Sequence, residues 1–376
     1  LTLDLGLRWE RFGSPSYKDG LIYNWDRATG NVVIPQTATK SVSPLYPSTI
    51  KGATGDVRQK PTLKNFAPRV GGAYRLIGDT TVLRGGYGIF TETLGLFARA
   101  QGGGPYELGE TFFNQIVNGQ PLFSFPNPFP AGSGSIASQS VSGYPVKTAN
   151  GRIHQFNMTI EQQLRNTGFR LTYLGSRNRG TNYSIAINKP QASLIPFNQN
   201  RRPYSQFVGA SEARTDGGQT YNALTFEVQR KAGQITFDNH WTWASSYANT
   251  LNMQDPYAAP GWSRVQYTTR QRVVFNTIWT LPVGRGRKFL SSVPRVVDHV
   301  LGGWQLYWIA FMESGPFFSP SFSGSDPSNT NTSGGLPDRK ANGNLPAGQR
   351  TIDRWFDASA FAVPAAGRYG NSGAYV

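Results

Sequence analysis

The amino-acid sequence predicts an all-β chain whose strands run up and down, antiparallel, with one apolar and one polar face. Three observations predict it. First, short stretches alternate strictly. Between Ala67 and Leu76, residues Pro68, Val70, Gly72, Tyr74 and Leu76 share one face while Arg69, Gly71, Ala73 and Arg75 share the other, the period of two that a pleated strand imposes. Second, the apolar face bears no charge and the opposite face bears Arg and Gly in place of core side chains, the reverse of a soluble sandwich. Third, connections alternate in length: short turns at 77–80, 165–168 and 230–234 are separated by long segments at 11–65, 93–152, 177–218 and 246–268. Strands apolar outside and polar inside, with short turns at one end and long extracellular loops at the other, describe an up-and-down transmembrane β-barrel of the outer-membrane type.

Taken in order, the elements follow the same rule. Leu1 to Glu10 sets Leu1, Leu3, Leu5, Leu7 and Trp9 against Thr2, Asp4, Gly6, Arg8 and Glu10, and it is long enough to cross a bilayer at a barrel's tilt. Arg11 to Asn65 reads as a polar loop. The hairpin from Ala67 to Phe90 turns at Ile77-Gly78-Asp79-Thr80 and resumes with Leu83, Gly85, Tyr87 and Ile89 opposite Arg84, Gly86 and Gly88. After the long segment 93–152, Phe156, Met158, Ile160, Gln162 and Leu164 oppose Asn157, Thr159, Glu161 and Gln163, and a turn leads to Phe169, Leu171, Tyr173 and Gly175 opposite Arg170, Thr172 and Leu174. Leu224, Phe226 and Val228 then face away from Thr225, Glu227 and Gln229. Ile235, Phe237, Trp241 and Trp243 face away from Thr236, Asp238, His240 and Thr242. Val273 to Leu281 is a further strand, Pro282 to Gly303 a connection with helical character near Val296 to Leu301, and Trp304 to Glu313 a strand apolar on both faces. Trp9, Phe90, Trp241, Trp243 and Trp279 stand where an interfacial girdle is expected. No repeating unit suggests a propeller or solenoid.

Composition agrees. Of 376 residues only 15% are charged and 13% are aromatic, with 43 Gly and 25 Pro, as suits strands joined by long polar loops. The absence of Cys excludes disulfides and thiolate metal sites. The net charge of +16 is scattered, its nearest approach to a run being Arg285-Gly-Arg287-Lys288. Nucleic acid is therefore not expected; outer-membrane lipid, lipopolysaccharide or an anionic ligand is. No apolar run reaches the length of a transmembrane helix, and the sequence opens at Leu1 directly inside a strand with no signal peptide in view, so a fragment of a longer precursor is expected.

The segments LTLDLGLRWE, NFAPRVGGAYRLIGDTTVLRGGYGIF, QFNMTIEQQL, FRLTYLGSRNRG, TYNALTFEVQRKAGQITFDNHWTWASSYANT, VLGGWQLYWIAFMESGPFF and RTIDRWFDASAFAVP…GRYGNSGAYV resemble, in that order, the barrel of TonB-dependent receptors of the Oar-like type. Those receptors carry an N-terminal carboxypeptidase-regulatory-like domain. The resemblance implies a 22-stranded barrel with a plug in its lumen, located in the bacterial outer membrane. It also implies energy-coupled uptake of a large nutrient ligand through an inner-membrane TonB complex. The plug, the TonB box and the regulatory-like domain would lie upstream of Leu1, and closing strands would follow Val376. Residues 1–376 are thus expected to form a partial barrel domain of about nine strands, with the TonB contact made by a region absent from it.

Candidate chemistry is sparse, and no enzyme, cofactor or metal site is expected. Asp238 and His240 are two apart on one face, the geometry of a carboxylate–histidine dyad. No second acidic pair or Ser nucleophile accompanies them, so the ordinary reading is two luminal polar residues. No HExxH appears, and Asp56 lacks the further acidic residues of a calcium loop. Gly85-Gly86-Tyr87-Gly88 lacks the Lys and helix of a phosphate loop. Arg69, Arg75, Arg84, Glu161, Arg170, Glu227, Asp238 and His240 are expected to face the lumen or a plug. Phe123, Phe125, Tyr204, Trp262 and Tyr267, in the long loops with Phe129 and Phe207, are candidates for contact with an oligosaccharide or peptide ligand. The alternative function is surface display or adhesion without transport.

Overall fold

A computed structural model describes residues 1–14, 19–60, 62–92, 104–111, 116–121, 123, 125–126, 135–136, 138–147, 149–251 and 253–375. The alternating stretches become nine strands: β1 (Thr2–Trp9), β2 (Phe66–Ile77), β3 (Thr81–Thr91), β4 (Arg152–Leu164), β5 (Thr167–Ala186), β6 (Gly209–Ala232), β7 (Ile235–Ala248), β8 (Gln271–Thr280) and β9 (Gln305–Glu313). Each pairs antiparallel with the next in chain order, making a plain meander. Two short strands complete the 11-stranded sheet: Ser140–Gly143 runs parallel to the start of β6, and Ser263–Arg264 pairs with the end of β7. β1 and β9 are its two ends, so the sheet is an open wall.

The β2–β3, β4–β5 and β6–β7 turns are as short as expected. Gly78 (φ 49°) and Gly233 (φ 76°) occupy left-handed positions that residues with a Cβ reach at a cost. The β8–β9 connection at the same end is longer and contains helix α1 (Arg295–Leu301), where helical character was expected.

Register decides the faces. Leu5 stands opposite Val70, Val70 opposite Tyr87, and Tyr87 opposite Phe156. Ile160, Leu171, Phe226 and Trp241 form a second apolar row. These side chains are open: Leu5 is 81% and Leu171 41% accessible. A soluble monomer rarely exposes so continuous an apolar surface; a lipid-facing wall requires it. The band does not follow one row. The row through Leu5 reaches Asn222 and Ser245 by β6 and β7, while the apolar residues of β8 and β9, Phe275, Trp279, Leu306 and Trp308, lie nearer the short-turn end. Strands tilted against the membrane normal carry a level band in this way.

One orientation left open by the sequence is resolved, and one expectation is revised. β9, apolar on both sides in sequence, is oriented by its pairing with β8. Leu306, Trp308 and Met312 join the band, and Tyr307, Ile309 and Phe311 join the polar face. Phe90 is not part of a girdle: it lies on the polar face, with the Arg69 guanidinium 4.6 Å from its ring centre.

The hydrophobic core sits in the loops. Asn24–Asp26 pairs with Asn31–Ile34, which pairs with Gly52–Thr54. Trp25, Val32 and Phe207 are 3%, 1% and 0% exposed, and they cluster with Ile185 and Ile187 at the upper end of β5. Burial pushes the phenols of Tyr46 and Tyr106 up to about 12, as a dry interior does; the neighbouring phenol of Tyr23 adds to the rise at Tyr46. The 11–65 segment is therefore not the plain loop its composition suggests. Nearly half of the 177–218 segment is strand: β5 runs on to Ala186, and β6 begins at Gly209. Outside the membrane both faces of a strand meet water or loops, so its sequence loses the apolar alternation that marks strands within the bilayer.

Candidate functional site

Two places gather chemistry: the polar face of the wall and the crown of loops above it. On the polar face, Arg84 Nε donates to Glu161 (3.1 Å), Arg170 Nε donates to the other oxygen of Glu161 (3.1 Å), and Arg170 Nη1 donates to both oxygens of Glu227 (3.1 Å). Four adjacent strands thus carry alternating charges across the wall. Beside them Thr159 pairs with Thr172 and Thr225 with Thr242, each at 3.0 Å, in a row that ends at Arg272 and Glu313. Arg75 pairs with Asp79 at 2.6 Å, both well exposed. Ion pairs this accessible each contribute on the order of 0.2–1 kcal/mol, while backbone bonds hold the strands together. The ladder's consequence is a fixed pattern of charge on the lumen surface. A cleft of about 210 Å³ opens beside it, between Asp79, Gln163, Arg170, Glu227 and Gln229.

All the residues expected on this face lie there. Arg69, Arg75, Arg84, Glu161, Arg170, Glu227, Asp238 and His240 share one side by register. Arg84, Glu161, Arg170 and Glu227 touch one another. Asp238 and His240 do not: Asp238 accepts from Gln229 Nε2 (3.4 Å), His240 stands opposite Glu227 and Val274, and no hydrogen bond joins the two among the described residues. The row beyond His240 turns apolar through Val274 and Phe311.

The aromatic loop residues have different fates. Tyr204 packs edge-on against Trp25 at 4.7 Å and donates its hydroxyl to the carbonyl of Arg27 (2.8 Å), and Phe207 is wholly buried; both build the crown. Phe125 (92% exposed) and Tyr267 (81%) face solvent, and Phe123 is half-buried. Phe129 lies outside the described residues.

Trp262 lines an open trough of about 590 Å³ between the 249–270 loop and the segment following β9. Arg264, Arg270, Arg339 and Arg350 line it too, with six further aromatic residues and no carboxylate. The Arg264 guanidinium lies between the rings of Tyr247 (5.1 Å) and Phe317 (4.9 Å). Sequence reasoning missed this cluster because its arginines are single residues in separate loops. The run Trp355-Phe356 was visible, but its partners were not. Among the described residues no group of acidic or histidine side chains could hold a metal.

A family model described as "Outer membrane beta barrel domain" matches residues 1–375. No curated protein matches the chain. Among solved structures, the chain is similar to the outer membrane transporter YddB from Escherichia coli, at 10% identity and a TM-score of 0.36, over 57% of this chain and 26% of that one. The match spans about a quarter of that transporter's length.

Proposed function

We propose, from the premise that the chain belongs to the outer membrane beta barrel domain family, that it forms part of the wall and the external loops of a TonB-dependent, Oar-like receptor. In this reading the receptor takes up a large nutrient ligand. The loops capture the ligand, a plug in the lumen gives way under force from the inner-membrane TonB complex, and no covalent bond is made or broken. The observation that carries the reading is the Arg84–Glu161–Arg170–Glu227 ladder. It presents alternating charge at the short-turn end of the lumen face, a surface to which a polar protein domain can dock in one register.

A second reading, surface display or adhesion, is favoured by the crown's own core around Phe207 and Trp25, since a self-packed lobe can serve as a binding module without transport. The two separate in cells. Energised cells carrying the protein should deplete at least one component of a complex medium, and a protonophore should stop the depletion. Media left identical with and without the protein, while its loops stain on the cell surface, would exclude uptake and leave display.

A further inference from the structure

The trough between the 249–270 loop and the segment following β9 is built to bind an anion. Three of its four arginines are held in ways that leave their outer nitrogens without a hydrogen-bond partner among the described residues. Arg339 Nε donates to the carbonyl of Ala341 (3.1 Å) and Arg350 Nε to that of Leu345 (2.8 Å). Arg264 is held between two rings. None of the four makes an ion pair with a carboxylate among the described residues, although elsewhere in the chain Arg84, Arg170, Arg214 and Arg368 all do. A cluster of like charges with no carboxylate in its lining is unfavourable unless water or a ligand compensates it. The guanidinium fork matches carboxylate and sulfate oxygens in pairs.

The trough's other lining is flat and apolar. Trp262 and Trp355 are 53% and 64% exposed. The Arg350 guanidinium lies 5.8 Å from the Trp355 ring centre, so a stacking surface and a cation stand side by side. Open aromatic faces suit the C–H face of a sugar ring, and the volume falls within the roughly 300–1,000 Å³ of ligand pockets. We infer that this trough binds a soluble acidic oligosaccharide, its carboxylate or sulfate groups on Arg264, Arg270, Arg339 and Arg350 and its rings against Trp262 and Trp355. The inference rests on the uptake reading and gives that reading its ligand class.

The test measures binding to outer-membrane vesicles carrying the protein, using a uronate trisaccharide, a neutral trisaccharide of the same linkage and a glutamate tripeptide. The uronate should bind at least tenfold more tightly than either other probe. Its affinity should fall at least tenfold in Arg339→Gln/Arg350→Gln and in Trp355→Ala, and should largely return in Trp355→Phe. Arg287→Gln, an exposed residue of the β8–β9 connection at the opposite end, should leave it unchanged. Arg339, Arg350 and Trp355 are exposed, so these variants should retain the fold. Equal binding of the neutral sugar or the peptide would overturn the inference, as would an Arg287→Gln loss matching the trough variants. Competition by lipopolysaccharide that the trough variants abolish would overturn it in favour of a membrane glycolipid. Intact binding without energy-dependent depletion would instead overturn the uptake reading and leave the site; intact depletion of the uronate with trough variants at parental affinity would do the opposite.

Discussion

Leu171→Arg is expected to destabilise the wall by about 2–4 kcal/mol, whereas Thr172→Arg, one residue along, should cost under about 1 kcal/mol. Leu171 lies in the row Ile160–Leu171–Phe226–Trp241, within the apolar band. A guanidinium there meets hydrocarbon, where it must either stretch to the interface or draw water inward. Thr172 points to the other face, hydrogen-bonded to Thr159 at 3.0 Å and flanked on its own strand by Arg170. An added charge there is solvated, and its repulsion from Arg170 is screened. Urea unfolding of the two variants in lipid vesicles gives both numbers. Equal losses would mean that the two faces meet the same medium, and the membrane assignment of the wall would fail.

The second large effect lies outside the membrane. Phe207→Ala should cost the crown about 3–5 kcal/mol, the range for emptying a fully buried aromatic site. Phe207 is 0% exposed. Asn188 fastens its segment by donating to the carbonyls of Phe207 (2.8 Å) and Tyr204 (3.0 Å) while accepting from Tyr204 N (3.0 Å). Among the described residues the crown's core meets the wall at the upper ends of β5 and β6, through Ile185 and Ala210, so the loss should appear as local opening. Protease added to intact cells should cut the variant within the 19–57 and 187–208 segments, while the strands from β2 to β7 stay assembled. A variant crown as resistant as the parent's would show that Phe207 does not hold it together.

The sequence reveals the wall far better than the crown, and the reason is physical. Within the bilayer each strand divides two solvents, so Leu1 to Trp9 or Phe156 to Leu164 must alternate, and faces and turns can be read directly. That rule also predicted the sharing of one face by Arg84, Glu161, Arg170 and Glu227, though not their contacts, which depend on inter-strand register. It failed at β9 because Tyr307, Ile309 and Phe311 are apolar on the lumen side. Above the membrane the constraint lapses. Arg177 to Ala186 and Gly209 to Tyr221 pair as strands with register shifts near Thr181, yet they show no alternation to read. One signal in the crown was passed over in reading 11–65 as loop: Asn24-Trp25-Asp26, a turn ending at Gly30 (φ 73°), then Asn31-Val-Val-Ile34, a hairpin inside a stretch whose average composition is polar. The arginine trough had no local signal, since Arg264 and Arg350 meet only through long-range folding.

The claim on which the rest depends is that odd residues of β5 between Leu171 and Tyr173 face lipid and even ones face the lumen. Since the chain contains no cysteine, single cysteines at 171, 172, 173 and 174 can each carry one fluorophore without background. With the protein in its membrane, quenchers confined to the acyl chains should dim the labels at 171 and 173 and spare those at 172 and 174. Uniform quenching, or quenching in the opposite phase, would contradict the account.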